Sequence, residues 1–149
     1  MGGDHADLQI HAGVGVGLVG DRHLVLELHL HHGLAAAQRE LGISYSLGRG
    51  VRSNDSKAVE LLTLACNKQD HNACYHLALH IIEGRGVKAD ASRASALFEQ
   101  AATAGDVEAQ YRLGLMYASG QGVATDDVAA FSWLLKAAEQ GHAQAQHLT

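Results

Sequence analysis

Leu113-Gly114-Leu115-Met116-Tyr117-Ala118-Ser119-Gly120-Gln121-Gly122-Val123 is the stretch on which the fold turns, because its landmarks return at a fixed distance upstream. Gly120 follows Gly84 and Gly48 at steps of 36 residues, and Gly122 follows Gly86 and Gly50 at the same step. Val123, Val87 and Val51 repeat it, as do Leu113, Leu77 and Leu41. Further out, so do Ala37, Ala73, Ala109 and Ala145, then Ala58, Ala94 and Ala130, then Ala65, Ala101 and Ala137. A period of this length belongs to arrays in which one supersecondary unit, unable to bury its apolar face alone, stacks on the next.

Each unit reads as two helices, near 35–47 and 55–67 in the first copy, separated by Gly-Arg-Gly-Val or its equivalent. Ala37, Leu41 and Tyr45 stand at i, i+4 and i+8 and draw one apolar stripe down the first helix. The glycine at 48, 84 and 120 falls where a left-handed helix end needs a residue without Cβ. Asn54, Asp90 and Asp126 are placed to cap the second helix, each worth about 1 kcal/mol. That helix ends near Gly105 and Gly141, with Gln69 in the equivalent place of the first copy. Ala58, Leu62, Ala65 and Cys66, matched by Ala94, Phe98, Ala101 and Ala102, form a small-residue face that lets helices approach closely.

The pattern resembles the Sel-1-like repeat (SLR), a relative of the tetratricopeptide repeat. The likeness is carried by 113–123 together with Asp126, Trp133, Lys136-Ala137-Ala138, Gly141 and Ala145-Gln146, and it covers about residues 34–149. The tetratricopeptide repeat fits less well, since its period is 34 and it expects a late proline that this chain lacks. The second copy departs from the pattern with Ala78 for Gly and Ile81 for Tyr, which is expected to alter local packing rather than the fold. The resemblance implies an all-α chain, an α-solenoid forming a right-handed superhelix of about three helix-turn-helix units at 37–72, 73–108 and 109–144. A fourth unit is truncated from 145. Because 143–149 covers barely two turns of that unit, the chain is expected to be a fragment or a shortened version of a longer array.

Composition narrows the function. A hydrophobic content of 47% against 18% charged residues opposes disorder across the whole chain. A net charge of -5 gives no basic stripe for a phosphate backbone, so no nucleic-acid partner is expected. No apolar run reaches the length of a membrane span. Residues 1–12 contain Asp4 and Asp7 and no Lys or Arg, unlike a secretory signal, and Ala6 stands where a myristoylation motif needs Ser or Thr.

Residues 1–33 differ from the rest: they hold seven of the 17 Gly and six of the 11 His, with no Ser, Thr, Lys, Asn or aromatic residue. They read as a non-repeat leader, either disordered or bearing a degenerate cap helix at 22–32. The period-two alternation of Leu24, Leu26, Leu28 and Leu30 permits a strand there, but a lone strand has no partner, so the helix is preferred. Gly15 to Gly20 matches the G-x-G-x-x-G dinucleotide fingerprint, yet no βαβ unit follows, so no cofactor is expected. His29, His31 and His32 lack a recognised ligand spacing, and the i, i+4 pair His76 and His80 is Glu40 and Ser44 or Arg112 and Met116 in other copies; no metal is expected.

Cys66 and Cys74 lie where one unit hands over to the next. The resemblance to cysteine-rich SLR proteins implies a disulfide between them; equally, Ala102 with Gln110 and Ala138 with Gln146 at these places allow two small packed thiols. Such relatives are associated with β-lactam binding, so binding or hydrolysis of a small cell-wall-related ligand is the alternative function. No Ser here has a Lys three residues on, however, and no G-x-S-x-G elbow occurs, so an enzyme is not expected. The favoured expectation is a scaffold or adaptor for a protein or peptide partner. Opposite the Ala37, Leu41, Tyr45 stripe, a helical wheel places Arg39 and Ile43, Tyr75 and Leu79, Tyr111 and Leu115; this mix of aromatic, Arg and aliphatic groups is the candidate docking strip, with packing against neighbouring helices as the competing role. Sequence alone assigns neither compartment nor oligomeric state.

Overall fold

The computed structural model describes residues 34–149. The leader at 1–33, with the candidate cap helix, the Gly15 to Gly20 motif and the His29, His31, His32 run, lies outside the described residues. The described part is built of α1 (Ala35–Leu47), α2 (Asp55–Asn67), α3 (His71–Glu83), α4 (Ala91–Thr103), α5 (Val107–Ser119), α6 (Asp127–Glu139) and α7 (Ala143–Leu148), with no strand among the described residues. Each helix packs on the next in the chain, which gives the α-solenoid. Odd-numbered helices are first helices of their units and even-numbered ones second helices.

The boundaries follow from local chemistry. At the ends of α1, α3 and α5 the chain turns left-handed at Gly48 (φ 72°), Gly84 (φ 72°) and Gly120 (φ 77°), where a Cβ would meet the carbonyl. The second helices are capped by Asn54, Asp90 and Asp126, whose side-chain oxygens accept from the amides of Lys57, Arg93 and Ala129. Asp70 and Asp106 do the same for α3 and α5 through Ala73 and Ala109. Among the described helices only α1 begins without a side-chain cap, at Leu34.

Gln69 holds the left-handed position that Gly105 and Gly141 fill in the other units, with φ 70°. An L side chain costs roughly 1–2 kcal/mol there, part of which glycine returns as unfolded-state entropy. Gln69→Gly is therefore expected to stabilise the chain by about 0.5–1 kcal/mol, seen as a higher urea midpoint at unchanged slope.

The core runs through the units rather than within them. One buried cluster extends from Leu62 through Leu77, Ile81 and Phe98 to Leu113 and Met116, and a smaller one joins Leu134, Ala137 and Ala145. Alanines at 58, 65, 73, 94, 101, 109 and 137 are fully or almost fully buried, which brings the helix backbones close. The second helix of each unit drives one large side chain at its first helix: Leu62, Phe98 and Leu134, all buried. A Cβ on Gly42 would lie 3.0 Å from Leu62 Cγ, and one on Gly114 only 2.8 Å from Leu134 Cγ. The second unit has Ala78 at this position and Phe98 in place of the leucine, both buried. Its other departure, Ile81, is fully buried, whereas Tyr45 and Tyr117 are half-buried.

The second glycine of each Gly-x-Gly turn registers neighbouring units. A Cβ on Gly86 would run into the backbone carbonyl of Asp55, and one on Gly122 into that of Ala91. Each turn thus rests directly on the start of the preceding unit's second helix, with φ 76° at both glycines.

Candidate interaction surface

Between units, side chains of the first helices meet the residue that caps the next first helix. Arg39 on α1 donates to Asp70 Oδ2 at 2.7 Å, while Asp70 caps α3 with its other oxygen. At the last joint Tyr111 stacks on His142, ring centroids 4.3 Å apart and planes 22° from parallel. His142 caps α7, its Nδ1 accepting from the amide of Ala145, and its Nε2 lies 2.8 Å from Glu108 Oε2. Near the middle joint, Tyr75 packs at 5.8 Å on Phe98 of α4 and feels the charges of Arg112 and Glu108 on α5 and of Asp106, which caps α5. Burial pushes the Tyr75 phenol up, while the neighbouring Arg112 pulls it down.

The joint between the first two units carries further polar links. His80 is buried; its Nδ1 donates to the Arg85 carbonyl at 3.1 Å, and Nε2 accepts from the Ser46 hydroxyl at 3.1 Å. Arg85 donates to Asp55 Oδ1 at 3.0 Å. The sulfurs of Cys66 and Cys74 are joined, with the Cα atoms 4.7 Å apart and both residues buried. At the equivalent place in the next two joints a glutamine closes the same gap: Gln110 Nε2 donates to the Ala102 carbonyl and Gln146 Nε2 to the Ala138 carbonyl, each at 3.1 Å.

The structure therefore separates the candidate strip into two columns. Arg39, Tyr75 and Tyr111 are engaged in joints: Tyr75 is buried, and the other two are half-buried against the next unit. Ile43, Leu79 and Leu115 form the second column, one aliphatic side chain per unit. Each is half-buried, the first two against the main core and the third against the smaller cluster. The helical wheel of one helix does not reveal the first column's role, because each partner sits outside that helix: Asp70 and His142 cap the following first helix, and Phe98 lies on α4. The separation of 31 residues from Arg39 to Asp70, repeated from Tyr111 to His142, is the signal in the sequence that pairs them. Sequence reasoning also passed over Val128, Phe131 and Leu135, exposed along one face of α6.

Of the two histidines at i and i+4, His80 has both ring nitrogens engaged, as above. Burial holds the His76 imidazole below its ordinary range; Asp106 opposes this, and His80 and Arg39 reinforce it. A His that is kept neutral in the fold contributes stability above its unfolded value, near pH 6.5, and loses it as pH falls through the folded value. The melting temperature of the wild type is thus expected to drop more between pH 7 and pH 5 than that of His76→Gln. Among the described residues no group of three or more His, Cys, Asp or Glu is placed to hold a metal ion, and no helix is long and apolar enough to cross a membrane.

The Sel1 repeat model matches residues 35–70, 71–106 and 107–142. Among solved structures, the chain is 37% identical to a Sel1 repeat protein from Oxalobacter formigenes, over 83% of this chain and 93% of that one, with a TM-score of 0.76. It is 34% identical to c5321, a protective antigen present in uropathogenic Escherichia coli strains and displaying an SLR fold, over 81% of this chain but 26% of that one, with a TM-score of 0.78. Helicobacter pylori cysteine rich protein B shares the fold at 24% identity, over 91% of this chain and 99% of that one, with a TM-score of 0.70. No curated protein matches the chain.

Proposed function

Because this chain belongs to the Sel1 repeat family, whose members are generally helical scaffolds for protein interaction, we propose that it is a non-catalytic adaptor that holds a partner's peptide or helix along its first helices. The observation that carries this reading is the Ile43, Leu79, Leu115 column: the joints use the neighbouring column, yet each unit still offers one aliphatic group that is only half covered. The column recurs once per unit, on α1, α3 and α5. Aliphatic anchors placed in this way suit an amphipathic segment laid across the array.

Affinity capture from cells of the source tests it. Leu79→Ser with Leu115→Ser is expected to weaken partner capture at least tenfold while far-ultraviolet circular dichroism still reports a folded helical chain. Glu99→Lys, on the exposed side of α4, is expected to leave capture unchanged. Undiminished capture by a folded Leu79→Ser, Leu115→Ser protein would place the partner elsewhere.

A further inference from the structure

Three joints of the array present the same gap, between the end of a second helix and the start of the following first helix. Two are closed by a glutamine reaching back to a carbonyl, from Gln110 to Ala102 and from Gln146 to Ala138. Cys74 occupies the glutamine's place in the first joint, and Cys66 the alanine's. We propose that the Cys66–Cys74 bond does covalently at this joint what a glutamine side chain does at the other two, and that it makes the docking of the first helix pair responsive to redox conditions.

The chemistry differs in one respect. A glutamine clamp cannot be removed by the surroundings, whereas a disulfide can: an external dithiol supplies two electrons and two protons, the S–S bond breaks to two thiols, and the dithiol closes to its own disulfide. The two thiols left behind are small and weakly polar, and neither replaces the amide that Gln110 and Gln146 offer. Reduction therefore leaves the first joint without either form of clamp. The ion pairs from Arg39 to Asp70 and from Arg85 to Asp55 remain, together with the His80 link to Ser46, so the joint loosens without separating. Both cysteines are buried, at 3% and 0% exposure, so the dithiol reaches the bond only when the joint opens. The clamp persists where no thiol pool competes with it, as in an oxidising compartment.

The internal repeat supplies the experiment. Cys66→Ala with Cys74→Gln rebuilds at the first joint the pair found at the second; Cys66→Ala with Cys74→Ala removes both kinds of clamp. Thermal melts and amide hydrogen exchange are followed with and without a dithiol. The oxidised wild type is expected to lose roughly 5–10 °C on reduction, with exchange in α1 and α2 accelerating on the order of 50-fold, by the chain-entropy estimate for a loop this short. Exchange in α6 should be unchanged. The Ala/Gln variant should melt well above the Ala/Ala variant and ignore the dithiol, and the Ala/Ala variant should match the reduced wild type. An Ala/Ala variant as stable as the oxidised wild type, or a wild type indifferent to the dithiol, overturns the proposal. An Ala/Gln variant no better than Ala/Ala overturns the equivalence of the two clamps.

Discussion

Gly122→Ala is expected to destabilise the array by about 3 kcal/mol. Two costs combine. At φ 76° an L side chain pays the left-handed penalty of roughly 1–2 kcal/mol. Its Cβ would also run into the carbonyl of Ala91, the first residue of α4. That oxygen is backbone and cannot rotate aside, so relief requires the second and third units to move apart, an overpacking cost of about 1–3 kcal/mol. Gly105→Ala is the internal control, because Gly105 also has a positive φ, 106°, but nothing lies within 4 Å of its would-be Cβ. It should show the backbone penalty alone. Chemical denaturation of both variants separates the two contributions, and equal losses would show that the contact with Ala91 is unimportant.

Phe98→Ala is expected to cost about 3–5 kcal/mol. Phe98 is 1% exposed and lies in the cluster that joins all three units. It packs on Tyr75, and no other side chain of α4 in that cluster is larger than leucine, so the cavity cannot close without drawing helices together. Because the surrounding alanines already hold backbones at close approach, little further collapse is available. Phe98→Leu, which imitates Leu62 and Leu134, should recover most of the loss. If Phe98→Ala and Phe98→Leu were equally destabilised in urea, cavity size would not be the cause.

The architecture was legible because its determinants are local and repeated. Glycines in left-handed turns, Asn and Asp caps, and the alanine face announce themselves within one unit and recur 36 residues later. The surroundings of the candidate strip were legible only in part. Placing Arg39, Tyr75 and Tyr111 on one helix face is a property of a single helix, but their pairing with Asp70, Phe98 and His142 depends on contacts between helices that a wheel cannot contain. The same limit hid the role of Gly86 and Gly122, since their close approach is to Asp55 and Ala91 of the preceding unit, not to anything in their own turn. The Cys66 and Cys74 positions were found from the repeat, because Gln110 and Gln146 mark the equivalent site, although which of two states the thiols adopt is not a matter of spacing.

All of these effects depend on neighbouring units holding each other through nearest joints only. Residue-resolved hydrogen exchange of Gly122→Ala against the wild type tests that most directly. Loss of protection concentrated in α5, α6, α7 and the facing side of α4, with α1 and α2 much less affected, is the predicted result. Equal loss of protection in α1 and α2 would contradict it, since a joint two helices away would then be as sensitive as the one that was pried open.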